Sequence, residues 1–162
     1  MHPLSILQLL ILAALANGTP VIAKKFLGAW AAWPLDGGVI FFDGRPLLGA
    51  SKTGRGIVLG ILASVAGAPL IGLPWMVGLR AGAAAMAGDL LSSFLKRRMG
   101  LESSGRASGL DQVPESLFPF LACVGALPLG ALDILVGVAL FFAGEVLLSR
   151  ILFKLRLRDR PY

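Results

Sequence analysis

Long apolar runs broken by short polar segments organise the chain. Four runs, residues 4–22, 57–77, 117–132 and 134–153, are almost free of charge. Each is close to the ~20 residues a helix needs to cross a bilayer. A fifth, residues 77–95, is interrupted only by Arg80 and Asp89. The last two runs are divided by residues 128–133, which predict a tight helical hairpin. Asn17-Gly18-Thr19-Pro20 is expected to end the first helix, since Asn and Gly leave it and Pro forbids its return. The predicted fold is all-α: a polytopic membrane protein of five transmembrane helices, forming one domain over residues 1–162 with no internal repeat. In the long polar loop after the first run, residues 39–42 are apolar and predict a short interfacial strand or a re-entrant segment.

Composition agrees with a chain built for a bilayer. Hydrophobic residues make up 56%, charged residues only 15%, and mean hydropathy is +0.81, too little charge for a soluble domain of this size. The first run has no basic segment before it and lacks a convincing small-x-small cleavage site before the next element, so it is read as a retained helix and not as a signal peptide. The single cysteine, Cys123, excludes an internal disulfide and a cysteine metal cluster; a small packing residue is the plainer role.

Charge sets the expected orientation. Lys24, Lys25, Arg45, Lys52 and Arg55 lie between the first and second runs, and Lys96, Arg97, Arg98 and Arg106 between the third and fourth. Arg150, Lys154, Arg156, Arg158 and Arg160 lie at the C-terminal end, leaving Arg80 as the one cation of 15 on the other face. The positive-inside rule makes the crowded face cytoplasmic. The expectation is an integral protein of the cytoplasmic membrane, with its N-terminus outside and its C-terminus and chemistry inside. The net charge of +6 suits anionic head groups and nucleotide phosphates, not nucleic acid.

The candidate chemistry gathers on that face. Asp89, Ser92 or Ser93, Lys96 and Gly100 recur at helical spacing and share one side. A carboxylate in hydrocarbon costs roughly 2.5–3.5 kcal/mol on insertion scales, so Asp89 requires a partner or a function. An internal contact to Lys96 or Ser93 is one reading. In GLDQVPESL, Asp111 stands at a helix N-cap and Glu115 in the first turn, where negative charge suits the helix dipole. The alternative pairs Asp111 with Asp89 around a hard divalent cation, since two carboxylates and phosphate oxygens suit Mg²⁺. The stretch Gly49 to Gly56 joins freed backbone N–H groups, a helix start and the cations Lys52 and Arg55, the makings of a phosphate site. The spacing of a Walker loop is absent.

Taken together, NGTPV, PLDGG, FFDGRPLLG, KTGRG, GDLLSSFLKRR and LDQ resemble the CDP-archaeol synthase family, within the wider group of CTP-dependent phosphatidate cytidylyltransferases. The resemblance runs from Asn17 to about Glu115. It implies five transmembrane helices around a polar cytoplasmic pocket and transfer of CMP from CTP to a lipid phosphate, with loss of pyrophosphate and dependence on Mg²⁺. The lipid it implies is an unsaturated archaeol phosphate or a phosphatidic-acid-like molecule. It places Lys52, Thr53 and Arg55 at phosphate recognition, and the DGR turn adds Asp43 and Arg45 to that set. Asp89 and Asp111 fall at the metal, with Ser93, Lys96 and Arg97 beside them, and Asp89, Asp111 and Lys96 form the catalytic set. Two features depart from the pattern. Val113-Pro114-Glu115 occupies a stretch where the family has a further Asp, and the PGHGG element of the phosphatidate enzymes is missing.

Expected partners are CTP, a lipid phosphate and the bilayer, and the Gly-rich apolar helices offer surfaces on which copies of the chain could pair. A transporter half or a lipid-binding scaffold would share this composition. Transport, however, asks for polar residues on both sides of the midplane, and the outer half offers little beyond Arg80 and Asp133.

Overall fold

Five helices form, in an order that follows the apolar runs: α1 (Pro3–Leu27), α2 (Gly54–Leu70), α3 (Trp75–Arg98), α4 (Gln112–Ala122) and α5 (Ala131–Lys154). The structure is a computed structural model, and it describes residues 1–101 and 109–154, with side chains up to residue 147. Of the cations that set the expected orientation, Arg106, Arg156, Arg158 and Arg160, with the side chains of Arg150 and Lys154, lie outside the described residues. No strand forms among those described. Residues 39–42 instead belong to a turn-rich loop with two isolated bridges, Pro34 to Thr53 and Ile40 to Pro46.

Three boundaries differ from expectation. The first helix does not stop at Asn17-Gly18 but continues through Pro20 to Leu27. Proline removes only the bond to the carbonyl of Ala16. At that carbonyl α2 comes in so closely, at Gly60, that a Cβ there would lie 2.6 Å from the oxygen. The second run ends early, at Leu70, because Gly72 takes a left-handed conformation (φ +77°) and Pro74 starts the next helix. The fourth helix has only 11 residues, about 16 Å at 1.5 Å per residue. The chain then turns through residues 123–130, with Gly125 at φ +84°, so the turn before α5 begins earlier than residues 128–133.

The helices alternate in direction. At one end, Gln8 Nε2 donates to Ile71 O at 2.9 Å, and the His2 backbone N–H donates to Asp133 Oδ1 at 2.8 Å. This puts the start of α1 beside the end of α2 and the start of α5. Helix α1 packs against the other four, and α3 lies between α2 and α4. Glycine sets each successive approach. A Cβ on Gly78 would meet Ser64 O at 2.3 Å, one on Gly88 would meet Pro114 O at 2.2 Å, and one on Gly137 would meet the Phe120 ring at 2.1 Å. Small residues let backbones close in where apolar side chains would hold them apart. The buried Ser64 hydroxyl adds a bond to Leu12 O at 3.0 Å.

Among the described residues, α1 is the one helix long and apolar enough, by length and composition, to cross a membrane. Helix α2 is apolar but shorter, and α3 carries Arg80, Asp89 and the Lys96–Arg98 run.

Candidate active site

The α1–α2 loop is built around one carboxylate. Asp36 Oδ2 accepts from the backbone N–H groups of Leu48 (2.8 Å) and Gly49 (3.1 Å), and Oδ1 accepts from Gly38 (3.0 Å). Partial burial pushes its pKa up, but the donors from Leu48, Gly38 and Gly49 together hold it below the ordinary value. The loop then returns to α2 through Leu35 N–H to Lys52 O at 2.7 Å, which places Lys52 at the mouth of α2. Thr53 caps that helix, its hydroxyl accepting from Gly56 N–H at 3.1 Å.

On α3, Asp89 and Lys96 lie seven residues apart on one face, about 10 Å along the axis. They do not pair with each other. Lys52 Nζ reaches Asp89 Oδ1 at 2.5 Å, and Lys96 Nζ reaches Asp111 Oδ1 at 2.7 Å. Asp111 occupies the N-cap position of α4 but makes no side-chain capping bond, since its carboxylate is turned to Lys96. Both pairs are largely buried, each side chain about a fifth exposed or less. Ser93 and Arg97 are buried on the same stretch of α3. The contact at Gly88 brings the start of α4 onto α3, and it puts the buried Glu115 against Asp89, within hydrogen-bonding reach of its carboxylate and close to Lys52. Glu145 of α5 lies near enough to act electrostatically on Glu115.

Other residues of the predicted set are placed differently. Asp43 accepts from Arg98 Nη1 at 2.5 Å, and Arg45 donates to Arg98 O at 2.5 Å. The Arg98 guanidinium stacks on Phe41 and Phe94, 4.5 and 5.1 Å from their centroids. These contacts clamp the DGR turn to the end of α3. Arg55 donates to Gly28 O at 3.2 Å and to Trp30 O, so its guanidinium is turned to the loop after α1. Two open cavities of about 280 and 250 Å³ flank the DGR turn. The first is lined by Asp36 and Gly49 among others, the second by Arg45, Arg97 and Gly100. Only the second offers cationic walls. Neither contains the Asp89 or Asp111 carboxylates, so the chemistry is assigned from the ion pairs and not from cavity size.

Sequence reasoning missed Glu145. The signal was available, because it is an acid inside an apolar run, where an ionisable group is costly and tends to be functional. The Lys52–Asp89 contact, between residues 37 apart, had no comparable signal.

No ready-made cluster of three or more His, Cys, Asp or Glu ligands for a metal exists among the described residues. Asp89 and Glu115 bring carboxyl oxygens together beside a single lysine, and Asp111, at the N-cap of α4, adds a carboxylate at Lys96, two turns further along α3. Oxygen donors of this kind, completed by phosphate oxygens, fit a hard divalent cation.

No family model matches the chain. The chain is 40% identical over 120 residues to the CDP-archaeol synthase of Hyperthermus butylicus, covering 68% of this chain and 67% of that one. It is 31% identical over 156 residues to that of Sulfurisphaera tokodaii, covering 93% and 90%. Among solved structures, an intramembrane enzyme for archaeal membrane lipid biosynthesis matches with a TM-score of 0.73 at 30% identity, over 88% of this chain and 90% of that one. Similarity at this level along nearly the whole length, with the same helical fold, means that the chain belongs to the CDP-archaeol synthase family.

Proposed function

We propose that this enzyme transfers CMP from CTP to a membrane lipid phosphate of the archaeol type, with Mg²⁺ held by Asp89 and Asp111. The observation that carries the reading is the pair of lysine–carboxylate bridges, Lys52–Asp89 and Lys96–Asp111, on one face of α3 with Glu115 buried beside them. Without substrate, lysine and carboxylate balance one another's charge within each bridge. An incoming triphosphate offers the lysines a more highly charged partner, and a cation offers the same to the carboxylates. Lys52 and Lys96 then turn to phosphate oxygens, with Arg97 and Arg45 at the adjoining cationic wall. A bound Mg²⁺ would supply charge neutralisation across the reacting phosphates.

The reaction balances simply. An oxygen of the lipid phosphate forms a bond to the α-phosphorus of CTP, and the bond from that phosphorus to the bridging oxygen breaks, releasing pyrophosphate. The nucleophile is already anionic, so no strong general base is needed. The residues align the reactants and neutralise crowded charge.

The helices would cross the membrane five times, α4 and the turn after it together making the fourth crossing, with the Lys52–Lys96 end in the cytoplasm. Small residues at 81–88 suggest room for lipid chains beside α3. Ala81 and Ala85 are fully buried and Gly82 packs on Ser64, so that side is spent on helix packing, and the room lies on the outer side, where Ala83 and Ala87 are exposed. Support for an archaeol-type lipid comes from the relatives' names. A substrate panel tests the reading: purified enzyme, CTP, Mg²⁺ and either ether-linked archaeol phosphate or ester-linked phosphatidic acid, with products read by mass spectrometry. CDP-lipid from the ether substrate is expected; absence of product from both would overturn the proposal.

A further inference from the structure

Just beyond α1 the chain does something unusual for a segment leaving a membrane helix. Lys24 and Lys25 occupy the last turn of α1, where a span meets water. The next eight residues, FLGAWAAW, carry no charge. Phe26, Trp30 and Trp33 are 77%, 71% and 80% exposed. Their backbone is not loose. Arg55 donates to the carbonyls of Gly28 and Trp30, and Trp33 O accepts from Gly54 N–H. Pro34 bridges to Thr53, and Leu35 N–H bonds to Lys52 O. The polar groups of this segment are thus tied inward to the start of α2, and the aromatic rings are turned out.

We propose that this segment is a second membrane anchor, with Trp30 and Trp33 lying at the head-group boundary of the leaflet from which α1 emerges. Three observations select a lipid surface as the occupant. The segment continues directly from the helix that is apolar enough to span, whose own flank is exposed at Leu4, Leu7 and Ile22. Tryptophan joins an apolar body to an N–H donor and prefers that boundary. The adjoining cations Lys24, Lys25 and Arg55 complement anionic head groups. Because the anchor is hydrogen-bonded to the strand of loop that carries Lys52, it sets the depth of the Lys52–Asp89 end relative to lipid phosphates. The anchor goes beyond the proposed reaction, and its test needs no turnover.

The chain has three tryptophans, and the third, Trp75, starts α3 at the opposite end. A Trp75→Phe variant therefore reports on Trp30 and Trp33 alone. It is reconstituted in mixed phosphatidylcholine and phosphatidylglycerol vesicles whose chains are brominated either near the glycerol or near the chain end. The expected result is loss of most emission with bromine near the glycerol, less loss with bromine at the chain end, and weak quenching by aqueous iodide. Strong iodide quenching with no effect of brominated lipid would overturn the proposal by leaving the rings in water. Resistance to both quenchers would overturn it in favour of a second protein copy covering the segment. Strongest quenching from the chain end would overturn the boundary placement.

Discussion

Lys52 and Lys96 each hold a carboxylate, and their positions explain why neither cation behaves as a surface anchor. Both bridges are short and largely buried, so removing one partner leaves a charge with reduced access to water. Asp89→Asn and Asp111→Asn are each expected to fold and to lose turnover by roughly 100-fold or more, the scale of losing a main electrostatic contact in a site. Initial rates at limiting Mg²⁺, with thermal melting as the folding control, check this. Lys52→Ala should lower kcat/KM for CTP roughly 10–100-fold, the value of one charge-assisted hydrogen bond. Arg55→Ala acts on a different property. Its guanidinium holds loop carbonyls, so the melting temperature should fall, by a stability change of about 1 kcal/mol, more than CTP binding does. Asp36 adds a pH dependence. Its folded pKa is lowered, so its contribution to loop stability is complete above the ordinary value of 3.8 and is lost as pH falls through the lower folded value. Limited proteolysis within residues 28–53 should rise in that acid range, and Asp36→Asn should abolish the pH dependence.

Glycine governs the elements. Each successive helix pair meets at a residue without a side chain: Gly60 for α1 and α2, Gly78 for α2 and α3, Gly88 for α3 and α4, and Gly137 for α4 and α5. Gly88 carries the most functional weight, because the backbone it meets at Pro114 belongs to the turn of α4 that bears Asp111 and Glu115. Gly88→Ala is expected to cost about 1–3 kcal/mol by overpacking and to displace those acids, reducing activity as well. Gly18, also helical, has nothing within 4 Å of an added Cβ. Gly18→Ala should therefore be neutral or gain up to about 1 kcal/mol from helix propensity. Thermal unfolding of the two variants in detergent, beside the wild type, separates close packing from propensity.

For the whole molecule, alternating helices put Lys52, Arg98 and Asp111 at one end and His2, Ile71 and Asp133 at the other. In a Cys123→Ser background, single cysteines at Ala50 and Met99 are expected to react with an impermeant thiol reagent from the same side of sealed vesicles. A cysteine at Ala126, in the exposed turn after α4, is expected to react from the other. Labelling of Ala50 and Met99 from opposite sides would contradict five crossings.

Helix number and order were legible in the sequence, because an apolar run near bilayer length has few alternatives to a helix in lipid. The charged residues of the candidate site were conspicuous in the sequence, Asp89 as a costly carboxylate inside an apolar run and Lys52, Lys96 and Asp111 in the short polar segments beside such runs. Helix ends were less legible. Pro20 looked like a stop and is accommodated where Gly60 lets α2 come close, whereas Gly72 and Gly125 end helices inside runs that looked continuous. The pairing of charges was decided by tertiary structure alone. Helical spacing offered Asp89 a partner on its own helix, in Lys96 or Ser93. The fold gives Asp89 to Lys52 and Lys96 to Asp111, because Gly88 draws α4 onto α3 and the Asp36-centred loop carries Lys52 across to the same face. Spacing along one helix cannot anticipate contacts made by a loop and a cap that arrive from elsewhere in the chain.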